Sequence, residues 1–69
     1  MIKLCVVNNL KEIRKAKHLR QQDLAEATGY NRKTIGRIER HEVDPSAEFM
    51  LRMAAYLGVM VEDVFQVKE

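Results

Sequence analysis

Asn31, Arg32, Lys33, Arg37 and Arg40 fall within ten consecutive positions, in the segment NRKTIGRIER. Residues three and four apart share one side of an α-helix. If this segment is helical, positions 32, 33, 36, 37 and 40 form one face, and that face is strongly cationic with no acid on it. Guanidinium and ammonium groups gathered in this way suit a polyanion. The balance over the whole chain points in the same direction. Residues 1–41 carry ten Lys/Arg against four acids, and residues 42–69 carry two against six, so a net charge of +2 conceals a basic half joined to an acidic half. By charge alone, an ordinary solvated basic surface is the competing reading. Gly36 sits in the middle of the segment, where it costs about 0.8–1.0 kcal/mol relative to alanine.

Other chemistries find little support. No Ser/His/Asp set stands out, no glycine-rich loop is present to cradle a phosphate, and the single cysteine, Cys5, lies in an apolar stretch. The expectation is therefore a protein that is not an enzyme and needs no cofactor. Two histidines and one cysteine at scattered positions make no zinc-binding pattern. One cysteine cannot form an intramolecular disulfide, which suits a reducing compartment. No stretch reaches the roughly 20 apolar residues of a membrane span and no secretion leader is read, so the expectation is a cytoplasmic, nucleoid-associated protein without membrane contact.

The elements that position the basic face follow from periodicity. MIKLCVV is apolar and β-branched and reads as a strand. NNLKEIRKAK switches to helical spacing with Leu10 and Ile13 inward, and Asn9 with Glu12 has the spacing of a capping box. QQDLAEAT is a second short helix with Leu24, Ala25 and Thr28 on one side, stopped by Gly29. Asn31 is a suitable N-cap for the third helix, in which Ile35 and Ile38 point inward. SAEFMLRMAAYLG is a fourth helix, with Phe49, Met50, Met53, Ala54 and Leu57 as its apolar face. VEDVF is a short fifth turn or helix. VFQV again favours strand, so residues 2–7 and 64–68 are expected to pair, within one chain or across a dimer. The class is all-α: a compact five-helix domain covering 1–69, with short terminal strands.

Taken in order, Gln21, Leu24-Ala25, Gly29, Ile35, Ile38-Glu39, Asp44-Pro45-Ser46 and Leu57-Gly58-Val59 resemble the Cro/repressor-type (lambda-repressor-like, Xre) helix-turn-helix family. Leu10, Ile13 and Arg14 extend the match to residues 9–65. The resemblance implies a DNA-binding domain whose core spans about 20–41 and whose third helix enters the major groove. It also implies that Glu39 pairs with Arg14 on the first helix, and that Gln21 meets a phosphate while bracing the third helix.

On that basis Asn31, Arg32, Lys33 and Arg37 are the candidates for base edges, because residues at the start and on the outer face of a recognition helix read the groove. Arg and Lys suit O6 and N7 of guanine. Gly36 joins them as a point where the backbone could lie close to the bases. Arg20, Gln21, Thr34, Arg40 and His41 are phosphate candidates, with Thr34 equally suited to packing against the second helix. His18 and His41 stand where the family usually has glycine, and the expectation there is left-handed backbone, which histidine adopts more readily than most residues. Arg20 and Met60 stand where the second and fifth helices would ordinarily carry a capping side chain. Met60 either fills the core or joins an exposed dimer surface. The function expected is a sequence-specific transcriptional regulator, a repressor, binding double-stranded DNA as a homodimer, with any further protein partner unknown. A DNA-binding antitoxin and an interaction module without DNA binding are the alternatives.

Overall fold

The computed structural model describes residues 4–68. The elements run β1 (Cys5–Asn8), α1 (Leu10–Ala16), α2 (Gln21–Thr28), α3 (Arg32–Glu39), α4 (Ala47–Leu57), α5 (Val61–Val64) and β2 (Phe65–Lys68). Residues 2 and 3 of the expected first strand lie outside the described range.

β1 and β2 pair antiparallel within the chain, with Val6 opposite Val67 and Asn8 opposite Phe65. An isolated two-stranded ribbon is marginal in water. This one is anchored because Phe65 is buried in the helical core and Val6 packs on it. The core is built from the inward residues of every helix: Leu10, Leu24, Ile35, Phe49, Met53 and Val64 are fully buried. Phe49 stands between Tyr30 and Phe65, with ring centroids 4.9 and 6.3 Å away in tilted and edge-on arrangements, the geometries aromatic quadrupoles favour.

Helix starts differ from the sequence expectation in an instructive way. Asn9 makes no side-chain cap. Its backbone N–H instead donates to the Val64 carbonyl at 3.0 Å, tying the end of the ribbon to the start of α1. Asn8 does the local work: Oδ1 accepts from the Leu10 N–H at 3.1 Å, and Nδ2 donates to the Ile38 carbonyl at 3.0 Å. The starts of α2 and α5, where Arg20 and Met60 offer no capping oxygen, are rescued by the third helical residue. The Asp23 carboxylate accepts from the Arg20 N–H at 2.7 Å, and the Asp63 carboxylate from the Met60 N–H at 3.0 Å. Each supplies the reciprocal half of a capping box and a negative charge at the positive end of the helix dipole. Met60 is exposed, so it does not fill the core.

Candidate nucleic-acid interface

α2 and α3 are joined by a turn in which Gly29 adopts φ +80° and its N–H donates to the Ala25 carbonyl at 2.9 Å. That left-handed residue ends α2 and redirects the chain, a conformation glycine adopts without steric cost. The turn is also held from outside. Arg52 on α4 donates to the Thr28 carbonyl at 3.3 Å, stands 5.6 Å from the Tyr30 ring centroid, and pairs with Glu48 at 2.6 Å. Sequence reasoning missed Arg52, because nothing in local spacing links position 52 to position 28.

The inner side of α3 is fixed by charge. Arg14 donates to Glu39 from Nε at 2.8 Å and Nη2 at 3.2 Å, and its Nη1 donates to the Leu19 carbonyl at 2.9 Å. Gln21 Nε2 donates to the same Glu39 carboxylate at 2.9 Å. The Glu39 side chain is 1% exposed, yet three donors from α1 and α2 satisfy its oxygens. A bidentate arginine–carboxylate pair fixes orientation as well as distance. α3 is thereby locked about its own axis against both preceding helices.

That lock determines what faces outward. Asn31, Arg32, Lys33, Thr34, Arg37 and Arg40 are all exposed, so Thr34 does not pack into the interface with α2. Asn31 Oδ1 accepts from the Lys33 N–H at 2.7 Å and caps the helix, leaving its amide hydrogens free of that bond. Gln21, Asn31, Arg32, Lys33, Gly36 and Arg40 line one shallow recess, so the structure gathers expected base-reading and phosphate-binding residues at one place. Gly36, expected on the open outer face, is instead buried. A Cβ there would lie 3.0 Å from Arg40 Nη1 and 3.5 Å from Gln21 Nε2. The glycine forms the floor of the recess, and the side chains of Gln21 and Arg40 lie across it.

The remaining candidates lie at the edges. Arg20 pairs with Asp23 at 3.2 Å. This side-chain bond, followed by the Arg20 backbone N–H, holds the Asp23 carboxyl below its ordinary range. His41 has φ +61°, and His18 has φ +58°. After α3 the His41 N–H donates to the Ile38 carbonyl at 3.0 Å, and the Glu42 N–H to the Arg37 carbonyl at 2.9 Å. This is a Schellman closure with histidine in the glycine position. It folds Glu42 back over the last turn of α3. Its carboxylate accepts from Arg40 Nε at 2.5 Å and lies 3.8 Å from Arg37 Nε. Those arginines hold the Glu42 carboxyl below its usual range, Arg40 through its hydrogen bond most of all. The cationic face therefore does have an acid on it, supplied by the following turn. Among the described residues no cluster of three or more His, Cys, Asp or Glu side chains is placed to hold a metal ion. No helix there is long and apolar enough to cross a membrane.

A helix-turn-helix family model matches residues 10–64, most of the chain and the whole of this arrangement. The protein belongs to the helix-turn-helix family of DNA-binding transcriptional regulators, in its Cro/repressor (Xre) type. This helix-turn-helix chain is 41% identical over 58 residues to the uncharacterised HTH-type transcriptional regulator MJ0272 of Methanocaldococcus jannaschii, covering 84% of this chain and 88% of the relative. It is 32% identical over 62 residues to the uncharacterised HTH-type transcriptional regulator YgzD of Bacillus subtilis, covering 90% and 94%. Among solved structures, the restriction-modification controller protein C.AhdI of Aeromonas hydrophila superposes with a TM-score of 0.75 at 33% identity, covering 78% of this chain and 82% of that one. A Bacteroides fragilis protein at 24% identity shares the fold, with a TM-score of 0.81 over 90% of this chain and all of that one.

Proposed function

We propose that the chain acts as one DNA-binding domain, a sequence-specific repressor that binds a two-fold operator as a homodimer with α3 in the major groove. The observation that carries this reading is the division of α3 into two sides. Glu39 is clamped inward by Arg14 and Gln21, while Arg32, Lys33 and Arg37 stand exposed on a helix whose rotation is thereby fixed. Asn31, Arg32, Lys33 and Arg37 are assigned to base edges, with Arg37 the leading candidate for a guanine. Arg20, Gln21, Thr34, Arg40 and His41 are assigned to the phosphates that supply most of the affinity. Gly36, beneath Gln21 and Arg40, sets how deep that surface is. Its own backbone meets bases only if those two side chains move aside.

Self-association is supported by apolar side chains left exposed in the acidic half, among them Leu51, Tyr56 and Met60. A cytoplasmic, nucleoid-associated location follows from the DNA-binding role. Similarity to C.AhdI favours a more specific version, in which the chain controls a restriction–modification system.

The decisive experiment is selection of bound sequences from a random duplex library. A palindromic motif with half-sites about 10–10.5 base pairs apart, one helical turn, supports the dimer. Absence of any enriched motif, together with binding insensitive to salt, refutes the reading.

A further inference from the structure

The most cationic turn of the interface is closed on itself. Glu42 is delivered by the left-handed residue His41, whose Schellman closure sets the Glu42 N–H on the Arg37 carbonyl at 2.9 Å. Its carboxylate then receives Arg40 Nε at 2.5 Å and lies 3.8 Å from Arg37 Nε. The Arg40 guanidinium lies down across α3, in close contact over position 36, where a Cβ would stand 3.0 Å from Arg40 Nη1. Three separate features, a left-handed His41, an acid at 42 and a glycine at 36, thus converge on one arginine. All partners of the cluster remain about half exposed, so a competing anion can reach them.

We propose that Glu42 is an intramolecular stand-in for a DNA phosphate, holding Arg40 over Gly36, and Arg37 beside it, until a duplex displaces the carboxylate. This rests on the DNA-binding reading and adds a specificity-determining residue to it. A carboxylate and a phosphate oxygen accept the same charge-assisted bonds from a guanidinium. A duplex that offers only backbone contacts must therefore exchange one such bond for another, against the repulsion of the released Glu42. A duplex that also engages base edges gains contacts from Asn31, Arg32 and Lys33, for which Glu42 does not compete. Glu42 thereby keeps sequence-independent binding weak and leaves Arg37 and Arg40 available to the operator.

The test compares wild type with Glu42→Gln on a random duplex across a salt series, repeated in an Arg37→Gln/Arg40→Gln background. Exposed ion pairs are individually weak, so Glu42→Gln is expected to tighten random-duplex binding about two- to fivefold at low salt. It is also expected to steepen the log–log salt slope, by at most about 0.9, because in wild type the released Glu42 draws back a cation as the phosphate contact forms and the neutral amide does not. Both effects are expected to vanish in the double-arginine background. Unchanged affinity and slope overturn the proposal, as does the same gain without the arginines, which is a general charge effect. A second readout needs no DNA: the Arg40 Nε–H resonance is expected to be slow to exchange in wild type and fast in Glu42→Gln. If that resonance behaves as expected but neither protein binds any duplex, the DNA reading fails and this inference falls with it. If wild type binds DNA while its Arg40 Nε–H exchanges freely, the inference alone is refuted.

Discussion

Removing either partner of the Arg14–Glu39 pair is expected to bring the domain close to unfolding, while removing both is expected to be tolerated. The Arg14 and Glu39 side chains are 9% and 1% exposed, and Glu39 accepts from Arg14 Nε, Arg14 Nη2 and Gln21 Nε2. In Glu39→Leu the Arg14 guanidinium keeps only its bond to the Leu19 carbonyl, and a charge is stranded out of water. Stranding one member of a buried pair costs about 3–5 kcal/mol. A domain of this size has a single core that supplies about 3–5 kcal/mol of net stability, so the loss is comparable with the whole. The double variant Arg14→Met/Glu39→Leu removes both charges, and such apolar replacements are commonly neutral or stabilising. Urea denaturation followed by circular dichroism measures all four corners of the cycle. If either single variant loses less than about 1 kcal/mol, or the double loses the sum of the two, the pair is an ordinary surface contact and the reasoning is wrong.

The other predictions concern local features. Gly36→Ala is expected to raise the urea midpoint by the equivalent of about 0.5–1 kcal/mol. The atom facing the new methyl is the end of the Arg40 side chain, which can shift; destabilisation beyond about 1 kcal/mol counts against this. His41→Gly removes the cost of a left-handed β-carbon, about 1–2 kcal/mol, and is expected to raise the midpoint, with an unchanged or lowered value counting against the strain. Asp23 and Glu42 have carboxyls held below their ordinary range in the folded state. Their contribution is complete above the unfolded values of about 3.9 and 4.3 and is lost as pH falls through the lower folded ones. Stability is therefore expected to fall on acidification below about pH 4, and less steeply in Asp23→Asn; equal acid profiles refute the assignment. Arg37→Ala is expected to weaken binding to the selected operator by about 1–3 kcal/mol and relax one position of the motif. A uniform loss across sequences would reassign Arg37 to a phosphate.

Much of this molecule is written locally. Helices repeat every 3.6 residues and strands every two, so Leu24 with Thr28, Ile35 with Ile38, and Phe49 with Met53 and Leu57 announce their buried faces to anyone reading the spacing. Gly29, Asn31 and the two histidines mark helix ends because backbone conformation at an end depends on the residue itself. The same short-range logic places Arg32, Lys33, Arg37 and Arg40 on one helix, and the family likeness supplies the fold around it.

What only the tertiary structure decides involves partners that periodicity does not connect. That Asn8 rather than Asn9 serves the start of α1 depends on Asn9 being bonded to Val64 across the fold. That the terminal strands pair within one chain depends on Phe65 finding room in the helical core. Arg52 supports a turn 24 residues earlier. On the basic face the difference matters most. The sequence shows four cations, and their spacing around a helix, but a helical wheel cannot show Gln21 lying over Gly36 from the neighbouring helix. Nor can it show Glu42 returning to Arg40 through a left-handed turn. Helical spacing fixes which side chains share a face; whether that face is open, covered or neutralised depends on chain segments that leave the helix and come back to it.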